Sequence, residues 1–248
     1  MKRVFYFFLI ILIFSSGIYV KVLPSKNNEY FNIAYQKNIL NNIPEKDEVI
    51  SSFERDKKII LSGAKNYLGK KFIELELKNS LKMYYLKPID VFSGYKSGKK
   101  FYELISDDCY YTIPITWFGI NKGLIHLQKN KKVDEKELLS QGFSKESIKM
   151  IKDDEGKITL TQIGPMIKDG GYEFFMDPDK MDKLLKRNNI TNIIDIRFIT
   201  GLHMDIAYIN ASSGEYCIPF LSRPDFAKIT NGKVYNIDDI IRIFKMEK

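Results

Sequence analysis

Residues 110–127 read YYTIPITWFGINKGLIHL. β-branched and aromatic side chains dominate, which suits a pleated, half-buried surface better than a helix. Tyr110–Phe118 predicts a strand, Gly119–Gly123 a turn, and Leu124–Leu127 a returning strand. Just upstream, Phe101–Ile105 predicts another strand, joined to Tyr110–Phe118 through Ser106-Asp107-Asp108. This antiparallel meander is the clearest β region of the chain, and helical patterns flank it on both sides. The fold class expected is therefore α+β, with antiparallel sheet and packed helices.

Upstream, Phe72, Ile73, Leu75 and Leu77 include an alternation with Glu74, Glu76 and Lys78, which predicts a strand, and Met83–Leu86 a second. Before them, Val49, Ile50, Phe53, Ile59, Ile60 and Ala64 give a helical stripe. Pro44 is suited to the first helical position and Gly69 to the stop, with Gly63 as an interior weakness. Glu29–Ile43 fits a helix only loosely. Downstream, Asp134–Lys152 predicts two short helices, the second capped by Ser144. Ile158–Ile163 predicts a strand, Asp169-Gly170-Gly171 a turn, and Asp177-Pro178 the start of a helix reaching Arg187. Ile193–Ile199, Met204–Ile209 and Tyr216–Leu221 predict strands, the last two joined at Ala211–Gly214. Asn231-Gly232 is a turn signal, and Asn236 caps a C-terminal helix.

An internal echo links Tyr111-Thr112-Ile113-Pro114-Ile115 to Tyr216-Cys217-Ile218-Pro219-Phe220. Two readings stand: two similar lobes, 29–130 and 131–248, or coincidence in a composition of low diversity. Each Pro lacks a ladder donor and is expected at an edge or strand end.

The N-terminus sets the compartment. Val4–Val20 carries no charge, Lys2 and Arg3 precede it, and Lys21 follows. Seventeen helical residues span about 26 Å against a hydrocarbon core of about 30 Å, so Val22 and Leu23 complete a short transmembrane helix. The rival is a cleaved signal peptide with Val4–Phe14 as its apolar region. Either way, the expected layout is an anchor or signal at 1–23, a polar linker at 24–28 and an extracytoplasmic domain at 29–248. The expected location is the cell membrane, single-pass with the C-terminal domain outside, or the exterior after cleavage. The lipid bilayer is then a partner through residues 4–23.

The chain holds 39 basic and 31 acidic residues. Lys2, Arg3 and Lys21 account for three of the 39, leaving residues 24–248 with 36 against 31. A spread-out, Lys-dominated surplus points to an anionic envelope or a membrane protein as partner, and not to nucleic acid.

Catalytic signatures are sparse. Cys109 and Cys217 are the only cysteines, read as buried thiols or as one disulfide, which an oxidising exterior permits. His126 and His203 stand far apart, so no metal ligand set is expected, and no cofactor motif occurs. A thiol hydrolase would need His203 to activate Cys217 or Cys109, oriented by Asp195 or Asp205. Among the aromatics, Trp117, Tyr110 and Tyr111 are the candidate binding residues. The function expected is a membrane-tethered extracytoplasmic interaction or sensing protein without catalysis. The alternatives are an exported hydrolase acting on envelope polymer or peptide, or a structural accessory subunit of a membrane complex.

Overall fold

The structure is a computed structural model that describes residues 26–69, 73–86, 93–96, 98–166, 170–201, 203–222 and 228–246. The expected anchor at 1–23 lies outside the described residues. Among the described residues, no helix is long and apolar enough to cross a membrane. In chain order the main elements are α1 (Lys26–Gln36), α2 (Lys46–Leu68), β1 (Glu74–Leu75), β2 (Leu81–Tyr85), β3 (Cys109–Trp117) and β4 (Ile120–Lys129). Then come α3 (Glu135–Ser140), α4 (Lys145–Asp153), β5 (Ile158–Pro165), α5 (Gly171–Phe175) and α6 (Pro178–Arg187). The last are β6 (Ile193–Gly201), β7 (Met204–Ala211), β8 (Gly214–Leu221), β9 (Tyr235–Asn236) and α7 (Ile237–Met246).

All nine strands form one sheet in the order β5-β4-β3-β2-β6-β7-β8-β9, with β1 paired to β3. The fold is α+β. Two antiparallel meanders meet at a single parallel seam, where Met83, Tyr84 and Tyr85 of β2 lie opposite Phe198, Ile199 and Thr200 of β6. The sheet is therefore mixed. Its β5 belongs to the 131–248 half of the chain yet pairs along β4, so a divide at 130/131 cuts through a ladder.

Side chains alternate between two faces of the sheet. On the front, Leu81, Met83, Phe198, Ala207, Ile209 and Ile218 pack under α1, α5 and α6 through Phe31, Tyr35, Phe175, Met181 and Leu185. On the back, α2 covers the first meander, with Val49, Phe53, Ile60 and Ala64 on Tyr111, Ile113, Ile125 and Leu127. The second meander is covered by α7, whose Ile237, Ile240 and Ile241 meet Ile206, Tyr208 and Cys217.

Local signals place most helix ends. Gly69 closes α2 with a left-handed φ of 61°. The carboxylates of Asp134 and Asp177 and the Ser144 hydroxyl accept hydrogen bonds from Lys136, Lys180 and Ser147 backbone amides. Gly63 is more than a weak point: a Cβ there would sit 2.8 Å from Ile163 Cδ1, so the glycine lets α2 lie close on β5.

Several expectations are corrected. Phe101–Leu104 is a 3-10 helix, not a strand. Both end residues are buried, and 3-10 geometry puts i and i+3 on one side. Its first amides, Phe101 and Tyr102, donate to the Glu215 carboxylate of β8 at 3.2 and 3.3 Å. Of the strand expected at Phe72–Leu77, Phe72 lies outside the described residues; within 73–77 only β1 is strand, and Leu77–Asn79 turns as a 3-10 helix that leads into β2. The five-residue turn at Gly119–Gly123 is instead Phe118-Gly119 alone, with φ of 50° and 72°. Positive φ at both central residues matches the strand twist of a tight hairpin, so β4 starts at Ile120. Residues 26–28, expected as linker, are the first residues of α1. Gly171 opens α5 where only a turn was expected.

The two Tyr-x-Ile-Pro echoes do sit alike. Pro114 O accepts from Glu76 N at 3.2 Å, and Pro219 O from Gly232 N at 2.9 Å. A strand residue points its N and O the same way, so each missing donor faces a turn and not a full partner strand.

Candidate functional site

Alternation along β3 sends Tyr110 and Thr112 to the front face and Cys109, Tyr111 and Ile113 to the back. Register then gathers other front residues around them. His126 lies opposite Thr112, and Gln162 opposite His126. Across the parallel seam, Thr200 lies opposite Tyr85, Asp205 opposite Thr200, and Phe220 opposite Asp205. At this end of the sheet the start of α5 forms a roof over the front face. A cavity of about 280 Å³ remains, lined among others by Tyr110, Thr112, His126, Gln162, Tyr172, Thr200 and Asp205. Gly171 makes the roof possible: a Cβ there would stand 2.8 Å from Asp205 Cβ and 3.0 Å from Phe175 Cζ.

The polar groups of this pocket fall into three kinds. Asp205 Oδ1 accepts a hydrogen bond from Thr200 Oγ1 at 3.0 Å. Burial raises the Asp205 carboxyl above the usual carboxylate range, and among the described residues no cation offsets it. His126 stacks at a tilt on Tyr110, ring centroids 4.8 Å apart, and burial draws its imidazole down to about 4. It is therefore neutral at pH 7 and can both donate and accept. Tyr172 donates to Asn79 O at 3.1 Å and lies 3.4 Å from Thr112 O, tying the roof to β3. Thr112 is 1 % exposed, and its Oγ1 has no hydrogen-bond partner. Such orphaned groups are scarce in folded proteins, because each forfeits its hydration with nothing in return.

The His126 shift predicts a pH effect with a definite sign. Its folded pKa lies below the unfolded value of about 6.5, so its stabilising contribution is complete above that pH and is lost as pH falls toward 4. The span corresponds to about 3 kcal/mol. Asp205 works in the opposite sense, since a raised carboxyl adds stability as pH falls. His126→Gln is therefore expected to flatten the loss of urea stability between pH 7 and pH 4. Equal losses in the variant and the wild type would contradict this, as would an imidazole titrating near 6.5 by NMR.

Of the expected site residues, the structure brings Tyr110 and Asp205 into the pocket. Tyr111 is in the back core, and Trp117 ends β3 with its ring 5.1 Å from Phe118. Both cysteines are free thiols. Cys109 lies on β3 and Cys217 on β8, with β2, β6 and β7 between them. At about 4.8 Å per strand the gap is roughly 19 Å, far beyond disulfide reach. His203 sits in the β6–β7 turn with φ 58°, and its carbonyl accepts from Ser222 N at 2.9 Å. Cys217 is five residues further along β8, roughly 17 Å away. Burial pushes the Cys109 and Cys217 thiols up, away from thiolate formation. Asp195 pairs with Arg197 at 2.9 Å. Among the described residues, no group of three or more His, Cys, Asp or Glu could hold a metal ion.

Thr112, Gln162, Tyr172 and Thr200 had no signal in the sequence as site residues. Asp205 stood out there for other chemistry, as an orienting carboxylate, while His126 was noted only as too far from His203 to share a metal. Parity along a strand groups Tyr110 with Thr112, but nothing local tells that β2 and β6 meet in parallel. No family model, curated protein or solved structure matches this chain, so the pocket is interpreted from its own residues.

Proposed function

We propose that this chain is an interaction or sensing protein without catalytic activity, tethered outside the cell membrane by residues 1–23, which takes a small ligand in the front pocket. The observation that carries the reading is the cavity itself, where Asp205, His126 and Gln162 converge beside Thr112, whose buried hydroxyl has no hydrogen-bond partner. Cavities with a few convergent polar groups are the usual form of small-molecule sites. The tether is supported by the uncharged run Val4–Val20 between basic flanks. The hydrolase alternative is less well supported in its Cys217 form, because Cys217 lies roughly 17 Å along β8 from the strand end beside His203.

Two measurements test the reading. Thr112→Val keeps the shape and removes the orphaned hydroxyl, so the ligand-free protein is expected to be unchanged or more stable by about 1 kcal/mol. A loss of more than about 1 kcal/mol would assign the hydroxyl a structural role and remove the basis of the pocket reading. Separately, the full chain is expected to stay in the membrane fraction through an alkaline wash and to lose its folded part to protease added outside intact cells. Recovery in the cytosol, or protection from that protease, would reject the tether.

A further inference from the structure

We propose that the ligand of the front pocket presents a primary ammonium group, with Asp205 as its charge partner. The inference rests on the pocket reading above. Glu45, Asp195 and Asp182 each have a cation, Lys82 at 2.9 Å, Arg197 at 2.9 Å and Lys186 at 2.5 Å, and Glu215 has two amides and the Tyr208 hydroxyl in place of one. Among the described residues, Asp205 has only the Thr200 hydroxyl. A carboxylate taken partly out of water without a counter-charge is costly, and the missing charge is what a cationic ligand supplies.

The walls agree with this charge. Tyr110, Tyr172 and Phe220 line the pocket and bring no positive charge. His126 is neutral at pH 7 and adds no repelling charge. Thr112 and Gln162 remain for a polar remainder of the ligand. A metal ion is the poorer occupant, since no cluster of three ligating side chains occurs among the described residues. At about 280 Å³ the cavity falls just below the range of drug-sized sites, so the ligand is small.

The test uses the full chain in detergent, with benzylamine as probe, benzyl alcohol as its uncharged counterpart and calcium chloride as a metal control. Unfolding temperature is followed against concentration. Benzylamine is expected to protect saturably, with half-saturation at least tenfold below that of benzyl alcohol. Asp205→Asn keeps the shape and removes the charge, and is expected to bring the two within twofold. Equal protection by the two probes in the wild type would overturn the ammonium assignment, as would protection by calcium alone or by neither probe. A preference that survives Asp205→Asn would overturn the role of Asp205. The pocket reading itself stands or falls separately, on the Thr112→Val stability comparison.

Discussion

Gly201→Ala is expected to destabilise the protein by about 3 kcal/mol or more, measured by urea unfolding. Gly201 ends β6 with φ 155°, and an added Cβ would stand 2.4 Å from Leu86 O. The obstacle is backbone and cannot rotate away like the tip of a side chain. Nor can Leu86 retreat cheaply, because its N–H donates to Thr200 O at 3.0 Å across the parallel seam. Gly156 supplies the control. It also has a left-handed φ, 73°, but a Cβ there meets nothing within 4 Å. Gly156→Ala should cost only the conformational penalty of about 1–2 kcal/mol. If the two variants lose the same stability, the close approach at the seam is not what requires glycine at 201. The site feels the same contact, since Thr200 precedes Gly201 and holds Asp205.

Phe198→Ala is expected to cost about 3–5 kcal/mol. Phe198 is fully buried on β6, the strand that joins the two meanders. Its ring stacks on Phe175 at 4.7 Å between centroids and meets the edge of Tyr35 at 5.9 Å. Removing it takes support from α1, from α5 and from the sheet together, and the surrounding rings are too large and well fixed to collapse into the space. Ile194 is the comparison on the same strand. It is 57 % exposed, so Ile194→Ala should fall within about 0.5 kcal/mol of wild type. A Phe198→Ala loss below about 1.5 kcal/mol would mean that the front core repacks around the gap. The α5 roof of the pocket packs on this ring through Phe175, so the same variant is expected to weaken ligand protection along with stability.

Local chemistry made much of the secondary structure legible. Asp134, Ser144 and Asp177 announced helix starts, and the φ > 0 need at Gly69 announced a helix end. The strands β3 and β8 also read through, from β-branched and aromatic composition between turn signals. The errors have a common cause. Phe101–Leu104 looks like a strand by composition, and only the Glu215 carboxylate arriving from β8 makes a 3-10 turn the better solution for its amides. Leu77–Asn79 turns because β2 must reach β6, another long-range demand.

The candidate site shows the same division. Sequence alone determined the α+β class, the helix caps, the hairpin positions and the distinctive uncharged run at 4–20, since each depends on neighbours within a few residues. It also determined which residues of each strand share a face. Tertiary structure alone decided that β2 and β6 pair in parallel. That pairing brings Tyr110 and Thr112 of one meander beside Thr200 and Asp205 of the other, and leaves both cysteines away from His203. Strand partners are chosen by the burial of whole faces against α1, α2, α5 and α7, a sum over dozens of distant side chains. No short stretch of the chain carries that information.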